Sequence, residues 1–468
     1  MKKNFGKIMV LGVALAVLAS CSKKDDLSTP LVGLGGDTWA KGPLDEWLNT
    51  NYTTPYNIEV KYKWDRSELG EIEKDVVPVK EDKVIPVMDA IKKVWIEPYV
   101  AVKGEAFFKK YAQKQFFLVG SPSYNSNGTM TLGTAEGGRK IVLMVLNQFD
   151  IKNKPEVRRM LHTIHHEFGH ILNQNIAVTS DYQRITPGDY TATWFNFDDS
   201  EAQALGFITS YSRSNKDDDF VEMLASMLVD GQARMSDVVN NQFMMEVTST
   251  GTFIKRDGKG VYEQNTDARS KLNRKQAIVV SYLKDAYGIE LAQLQTKTQE
   301  AIEGLYPTPE LNTILGFDKT LNSIIVNPQL VSGLSPKFLT AYNAANAGLL
   351  TRGRYLDNIS LTHYDDKTIL LSLNFMDPLA ALGPGGYAHY FLPATTVNGV
   401  TTLGSPIPAN ANATALQPSI PALLAYFTNQ KFNIRWVDDI IPQSKNLYGG
   451  FVKTTDATSY LFGKLQTF

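Results

Sequence analysis

The 468-residue chain has a single cysteine, Cys21. The rest of it can therefore form no internal disulfide and offers no thiolate to a metal. Any zinc must be held by histidine, carboxylate or water. Histidine is scarce as well, with six in all, and four of them (His162, His165, His166 and His170) fall in one short stretch. An excess of one charge is also missing, because 47 basic residues meet 48 acidic ones for a net charge of −1. No basic cluster follows a helix face, so nothing points to nucleic acid. No internal repeat and no second hydrophobic span are visible beyond the N-terminus.

That N-terminus is a different matter. Lys2, Lys3 and Lys7 precede an uncharged apolar run, Ile8 to Ala19. The run is too short to cross a bilayer as a helix, which needs about 20 residues, and it reads as the apolar region of a secretory signal. It ends in Leu18-Ala19-Ser20-Cys21, which looks like a bacterial lipobox. Residues 1–20 are thus expected to be a lipoprotein signal peptide, with Cys21 the lipid anchor to membrane. Residues 21–37, rich in Gly, Ser and Pro, are expected to be a flexible tether. The expected location is the cell envelope, most simply the outer membrane, on its periplasmic face or the cell surface.

The remainder is long enough for two or three domains of about 150 residues each. Asn57 to Trp64 alternates apolar and polar residues as a half-buried strand does. Val87 to Val100 and Glu105 to Gln113 read as helices. Phe116 to Val119, Thr129 to Leu132 and Ile141 to Leu146 read as strands, the last fully buried. A helix begins after Pro155, and further helices cover Phe220 to Val229, Lys275 to Tyr287 and Glu290 to Leu305. After about Pro307 the pattern becomes strand-like, in Leu356 to Tyr364, Thr368 to Phe375 and Lys431 to Trp436, with a helix near Ala422 to Gln430. Asn398-Gly399 between two β-prone arms is a hairpin signal. The expected fold is α+β: a catalytic domain over 38–306, and a separate β-rich C-terminal domain over 307–468.

The chemistry lies in His166-Glu167-Phe168-Gly169-His170. An α-helix turns about 100° per residue, so His166 and His170 lie one turn apart on one face and can converge on one ion. Glu167 sits beside them, placed to reach a water without ligating. Val157, Leu161, Ile164, Phe168 and Leu172 supply an apolar stripe that makes this helix amphipathic. His162 shares the histidine face and His165 points toward the stripe, and both are expected to be bystanders.

The third ligand follows by elimination. A metzincin would need Gly and His where Asn173 and Ile176 stand, and the only later histidines, His363 and His389, lie in the β-rich domain. A carboxylate is therefore expected, as in gluzincins. Glu201 and Glu222 are the candidates, and Glu222 is favoured because it sits among Phe220, Val221, Met223, Leu224 and Met227, where a carboxylate needs a partner. Asp219 is placed to orient a histidine or to cap the helix. In thermolysin-like enzymes an Asp lies one turn after the third ligand; Ser226 stands there if that ligand is Glu222.

The segments Leu44 to Leu48, Tyr56 to Ile58, His166 to His170, Gly206 to Ser212 and Asp219 to Met223 resemble a family of zinc-binding metallopeptidase lipoproteins. The resemblance runs over about residues 38 to 305. It implies a zincin-like domain with His166, His170 and Glu222 on Zn2+, and a role beside a TonB-dependent nutrient importer. Family members usually read Glu-Asp-Phe-Ala-Glu where this chain has Asp218-Asp219-Phe220-Val221-Glu222.

The expected chemistry is zinc-assisted hydrolysis with Glu167 as general base and Tyr211 as a candidate oxyanion donor. A free strand edge near Thr129 to Gly133 favours a peptide or protein substrate. The alternatives are a non-catalytic surface lipoprotein that binds substrate for an importer, and an enzyme acting on peptidoglycan peptides or glycoproteins. Tyr387, Tyr390 and Trp436 in the C-terminal domain are candidates for sugar stacking, although strand aromatics usually belong to the core.

Overall fold

The structure, a computed structural model, describes residues 40–64, 76–125, 128–136, 139–248, 251–257, 260–376, 385–441 and 447–467. The signal peptide, the tether and Cys21 lie outside the described residues. The chain divides into two compact units, Met1–Glu46 and Trp47–Phe468, and the second contains two lobes. Among the described residues no helix is long and apolar enough to cross a membrane.

The first lobe begins with a small mixed sheet. Its strands are β1 (Glu59–Lys61), β2 (Gln115–Leu118), β5 (Gly133–Glu136) and β6 (Lys140–Leu143), in the order β1-β2-β6-β5. β1, β2 and β6 run parallel and β5 runs antiparallel at the edge. A short ribbon of β3 (Ser123–Tyr124) and β4 (Met130–Thr131) leads into that edge. Helices α1 (Glu81–Ile91) and α2 (Glu97–Tyr111) flank a wider, π-helical turn at Lys92–Ile96. The 3.6-residue pattern of Val87 to Val100 does not show that interruption. There Trp95 is fully buried and packs edge-on against Phe108, Phe116 and Phe168.

The motif lies on α3 (Lys154–Asn175), 22 residues long, with Pro155 in its first turn, where its missing N–H costs nothing. Val157, Leu161, Ile164, Phe168 and Leu172 are buried, so the apolar stripe faces the core as the periodicity requires. Helices α4 (Asp199–Leu205), α5 (Lys216–Val229), α6 (Gly231–Asn240), α7 (Thr266–Tyr287) and α8 (Leu291–Leu305) follow, with a two-stranded ribbon of β7 (Met245–Thr248) and β8 (Gly251–Ile254) between α6 and α7. α5 crosses α3 at Gly169. A Cβ there would lie 3.1 Å from Val221 and 3.3 Å from Leu224, so glycine lets the two site-bearing helices approach closely.

The second lobe is an eight-stranded antiparallel barrel. Its strands are β9 (Ser323–Val326), β10 (Tyr355–Asp365), β11 (Thr368–Met376), β12 (Gly386–Val397), β13 (Val400–Leu403), β15 (Lys431–Trp436), β16 (Tyr448–Lys453) and β17 (Tyr460–Gln466), with β14 (Ile407–Pro408) appended to β12. β17 returns to β9, Leu465 facing Ile324, and closes the ring. Asn398 and Gly399 both adopt positive φ between β12 and β13, the geometry that an Asn-Gly hairpin turn demands. The core of this lobe includes Val326, Ile359, Leu371, Tyr390, Phe432, Phe451 and Leu461, together with Phe338 and Leu349 of α9 (Pro336–Leu350) and Phe427 of α10 (Pro421–Phe427). Tyr390 is fully buried and its hydroxyl donates to Ala413 O, Trp436 is half-buried and donates to Pro309 O, and only Tyr387 is widely exposed. Tyr390 and Trp436 thus serve packing, not an open stacking face.

Polar ties join the lobes. Arg256 and Tyr262 both donate to Asp357 Oδ1 at the start of β10, at 3.0 and 2.8 Å. Lys464 of β17 reaches Asp237 of α6 at 3.1 Å.

Candidate metal centre

α5 is started by its N-cap, Asn215, whose side chain accepts from the backbone N–H groups of Asp217 and Asp218. This fixes Asp218 in the first turn, and its two oxygens are then used differently. Oδ2 accepts from Ser214 Oγ and Asn215 Nδ2, each at 2.6 Å. Oδ1 faces α3, 3.2 Å from His170 Nε2 and 3.7 Å from His166 Nε2. The two Nε2 atoms are 3.1 Å apart. Zinc at about 2.0 to 2.2 Å from tetrahedral nitrogen and oxygen ligands sets those ligands roughly 3.4 Å from one another. The three separations bracket that value, so His166, His170 and Asp218 fit a zinc ion.

Glu222, one turn further along α5, meets the other side of His166. Nδ1 of that ring donates to Glu222 Oε2 at 2.8 Å, and His162 Nε2 lies 3.1 Å from the same oxygen. Thr209 Oγ1 donates to Oε1 at 3.1 Å. His162, His166 and Glu222 therefore form a second group with metal-ligand geometry. A ring that donates through Nδ1 keeps the lone pair on Nε2, and carboxylates behind metal-bound histidines are used in this way. Glu222 shares no oxygen with both motif histidines; Asp218 does.

Glu201 is exposed and closes a capping box with Asp198 at the start of α4, away from both groups. His162 is no bystander, since it braces Glu222. His165 is one: it is fully buried and stacked on Tyr99, and burial pushes its pKa down to about 3. Asp219 neither caps the helix nor touches a motif histidine. It is fully buried, 2.7 Å from the equally buried Lys275 and hydrogen-bonded by Tyr182 and Tyr190. Burial raises its carboxyl to about 6 against the pull of Lys275. This pair anchors the start of α5 on α7, directly behind Asp218.

The electrostatics follow burial and partners. Burial alone would lower the His166 pKa, but Asp218 and Glu222 outweigh it and hold it up at about 10. Despite burial, His166 and His170 hold Asp218, and His162 and His166 hold Glu222, well below the usual carboxylate range. Tyr211 lies with its ring 5.7 Å from that of His166, edge-on to Trp194. Burial first, then Asp218 and Glu167, push its pKa far up, so it stays a neutral phenol. Glu167 is 7% exposed and lines, with Tyr211, Trp194, His162, His166 and Glu222, a cleft of about 460 Å³. Met130 to Gly133 also line it. Gly133 is needed there, because a Cβ would lie 2.6 Å from Thr163 of α3.

Asp218 escaped the sequence reading. The signal was present in the spacing of four between Asp218 and Glu222. A carboxylate followed one turn later by a second carboxylate is the pattern missing at Ser226, and it is present one turn earlier.

Two histidines and a carboxylate on crossing helices, with a glutamate beside them in an open cleft, define a zinc-metallopeptidase type of site. A family model described as "Putative zinc-binding metallo-peptidase" matches residues 37–292, and the chain belongs to this family. Zinc is accordingly its cofactor. A solved structure described as "a putative zinc-binding metallo-peptidase from Bacteroides caccae" shares 30% identity over 57% of this chain and 93% of that one, with a TM-score of 0.43. No curated protein matches the chain.

Proposed function

We propose that the protein is a zinc peptidase whose metal is held by His166 Nε2, His170 Nε2 and Asp218 Oδ1. The observation that carries this reading is that one carboxylate oxygen faces both Nε2 atoms, while Glu222 takes the Nδ1 proton of His166 as a hydrogen bond. Glu222 thereby moves from ligand to orienting group. When bound, zinc supplies Lewis acidity toward a carbonyl oxygen and toward water.

The chain's own residues do the rest. Glu167 accepts a proton from the attacking water on a side-chain oxygen and returns it to the leaving amine nitrogen. Glu222 and His162 fix the His166 ring, and Ser214 with Asn215 fixes Asp218. Tyr211, kept neutral by burial and by the carboxylates around it, offers its O–H to the oxyanion. In the described sheet, edge strand β5 pairs only with β6, which leaves a side for an extended peptide to join. This favours peptides over esters or sugars. The lipobox at Cys21 supports an envelope-anchored peptidase, and the resemblance noted above supports work beside a TonB-dependent importer.

The test is hydrolysis of a mixed peptide library by the full chain. Cleavage should stop with a zinc chelator and return on adding zinc. No cleavage at all would favour the binding-lipoprotein reading, and chelator-insensitive cleavage would overturn the zinc mechanism.

A further inference from the structure

The charges around the cleft are almost all paired within it. Glu222 is held by His162 and His166. Asp230 lies 3.3 Å from Arg158, which also donates to Val229 O. Arg159 stands apart. Its guanidinium is exposed, lines the cleft, and has no hydrogen-bond or ion-pair partner among the described residues. Glu156, three residues earlier, forms no ion pair with it.

Its position is fixed by α3. Arg159 is seven residues before His166, so it lies on nearly the same helix face, about 10.5 Å away along the axis. A smaller cleft lined by Leu143, Leu146, Phe149 and Met160 adjoins the main one and shares Leu132, Arg159 and Thr163 with it. An extended peptide advances about 3.4 Å per residue. A chain running from the metal group along α3 therefore reaches Arg159 within about three residues. The guanidinium's forked donors match a carboxylate.

We propose that Arg159 is a specificity residue that selects peptides bearing a carboxylate two to three residues from the scissile bond. That carboxylate is either an acidic side chain or the peptide's own C-terminus. This rests on the peptidase reading above.

The experiment uses the zinc-loaded full chain with Arg159→Gln and Arg159→Glu. Matched peptides carry Glu, Gln or Lys at each of the four positions on either side of the bond, as free acids and as C-terminal amides. Wild type should prefer a carboxylate over its amide about ten- to a hundredfold in kcat/KM. Arg159→Gln should bring that ratio near one, and Arg159→Glu should turn it toward Lys. A preference that survives amidation assigns the side chain; one lost on amidation assigns the C-terminus. Wild-type cleavage with no carboxylate preference, or an undiminished preference in Arg159→Gln, would overturn the proposal and leave the peptidase reading standing. Absence of all cleavage would overturn both.

Discussion

Glu167→Gln should keep its zinc and lose hydrolysis, with kcat falling about 10²- to 10⁴-fold and KM little changed. Neither group of metal-ligand geometry includes this residue. Its place is beside His166 on α3, buried at the cleft wall. Glutamine has the same shape and still accepts a hydrogen bond, but it cannot take a proton. A drop in kcat at full zinc occupancy therefore separates proton transfer from metal binding. Substantial activity in Glu167→Gln would shift the base to another group in the cleft, and His162 would become the first candidate.

Asp218→Ala should lose zinc, whereas Glu222→Gln should only weaken it. The first removes the one oxygen that faces both Nε2 atoms. The second keeps an acceptor for the His166 Nδ1 proton and loses the charge behind it, a change that typically costs 10- to 100-fold in affinity. Zinc per protein, measured after dialysis against buffer of known free zinc, should rank wild type first, Glu222→Gln next and Asp218→Ala last. The reverse order of the two variants would make Glu222 the ligand. Folding should be checked in parallel, because Glu222 is buried and its partners His162 and His166 would be left facing an uncharged amide.

The motif helix was legible because everything it needs is local. The spacing of four places His166 and His170 on one face, and the apolar stripe beside it fixes which way that face looks. The third ligand is a tertiary property. Asp218 and Glu222 lie on one face of α5, one turn apart, and only the crossing at Gly169 decides which turn meets the histidines. The apolar surroundings of Glu222 correctly signalled a buried carboxylate with partners. Those partners are His166 Nδ1 and His162, which under the proposed assignment makes Glu222 the support behind His166.

The C-terminal lobe divides in the same way. Strands β10, β11 and β15 and the Asn398-Gly399 turn follow from period and turn chemistry, whereas β9, β16 and β17 went unread. Closure of the barrel depends on β9 meeting β17 across most of the lobe, and no local pattern encodes that. Helix α9 also went unread, because its alanine-rich stretch from Ala341 to Ala347 carries little periodic contrast.

Anomalous diffraction at the zinc edge, on crystals of the zinc-loaded protein, locates the metal. A single peak about 2.0 to 2.2 Å from His166 Nε2, His170 Nε2 and Asp218 Oδ1 is the predicted result. A peak between His162, His166 Nδ1 and Glu222 would contradict it.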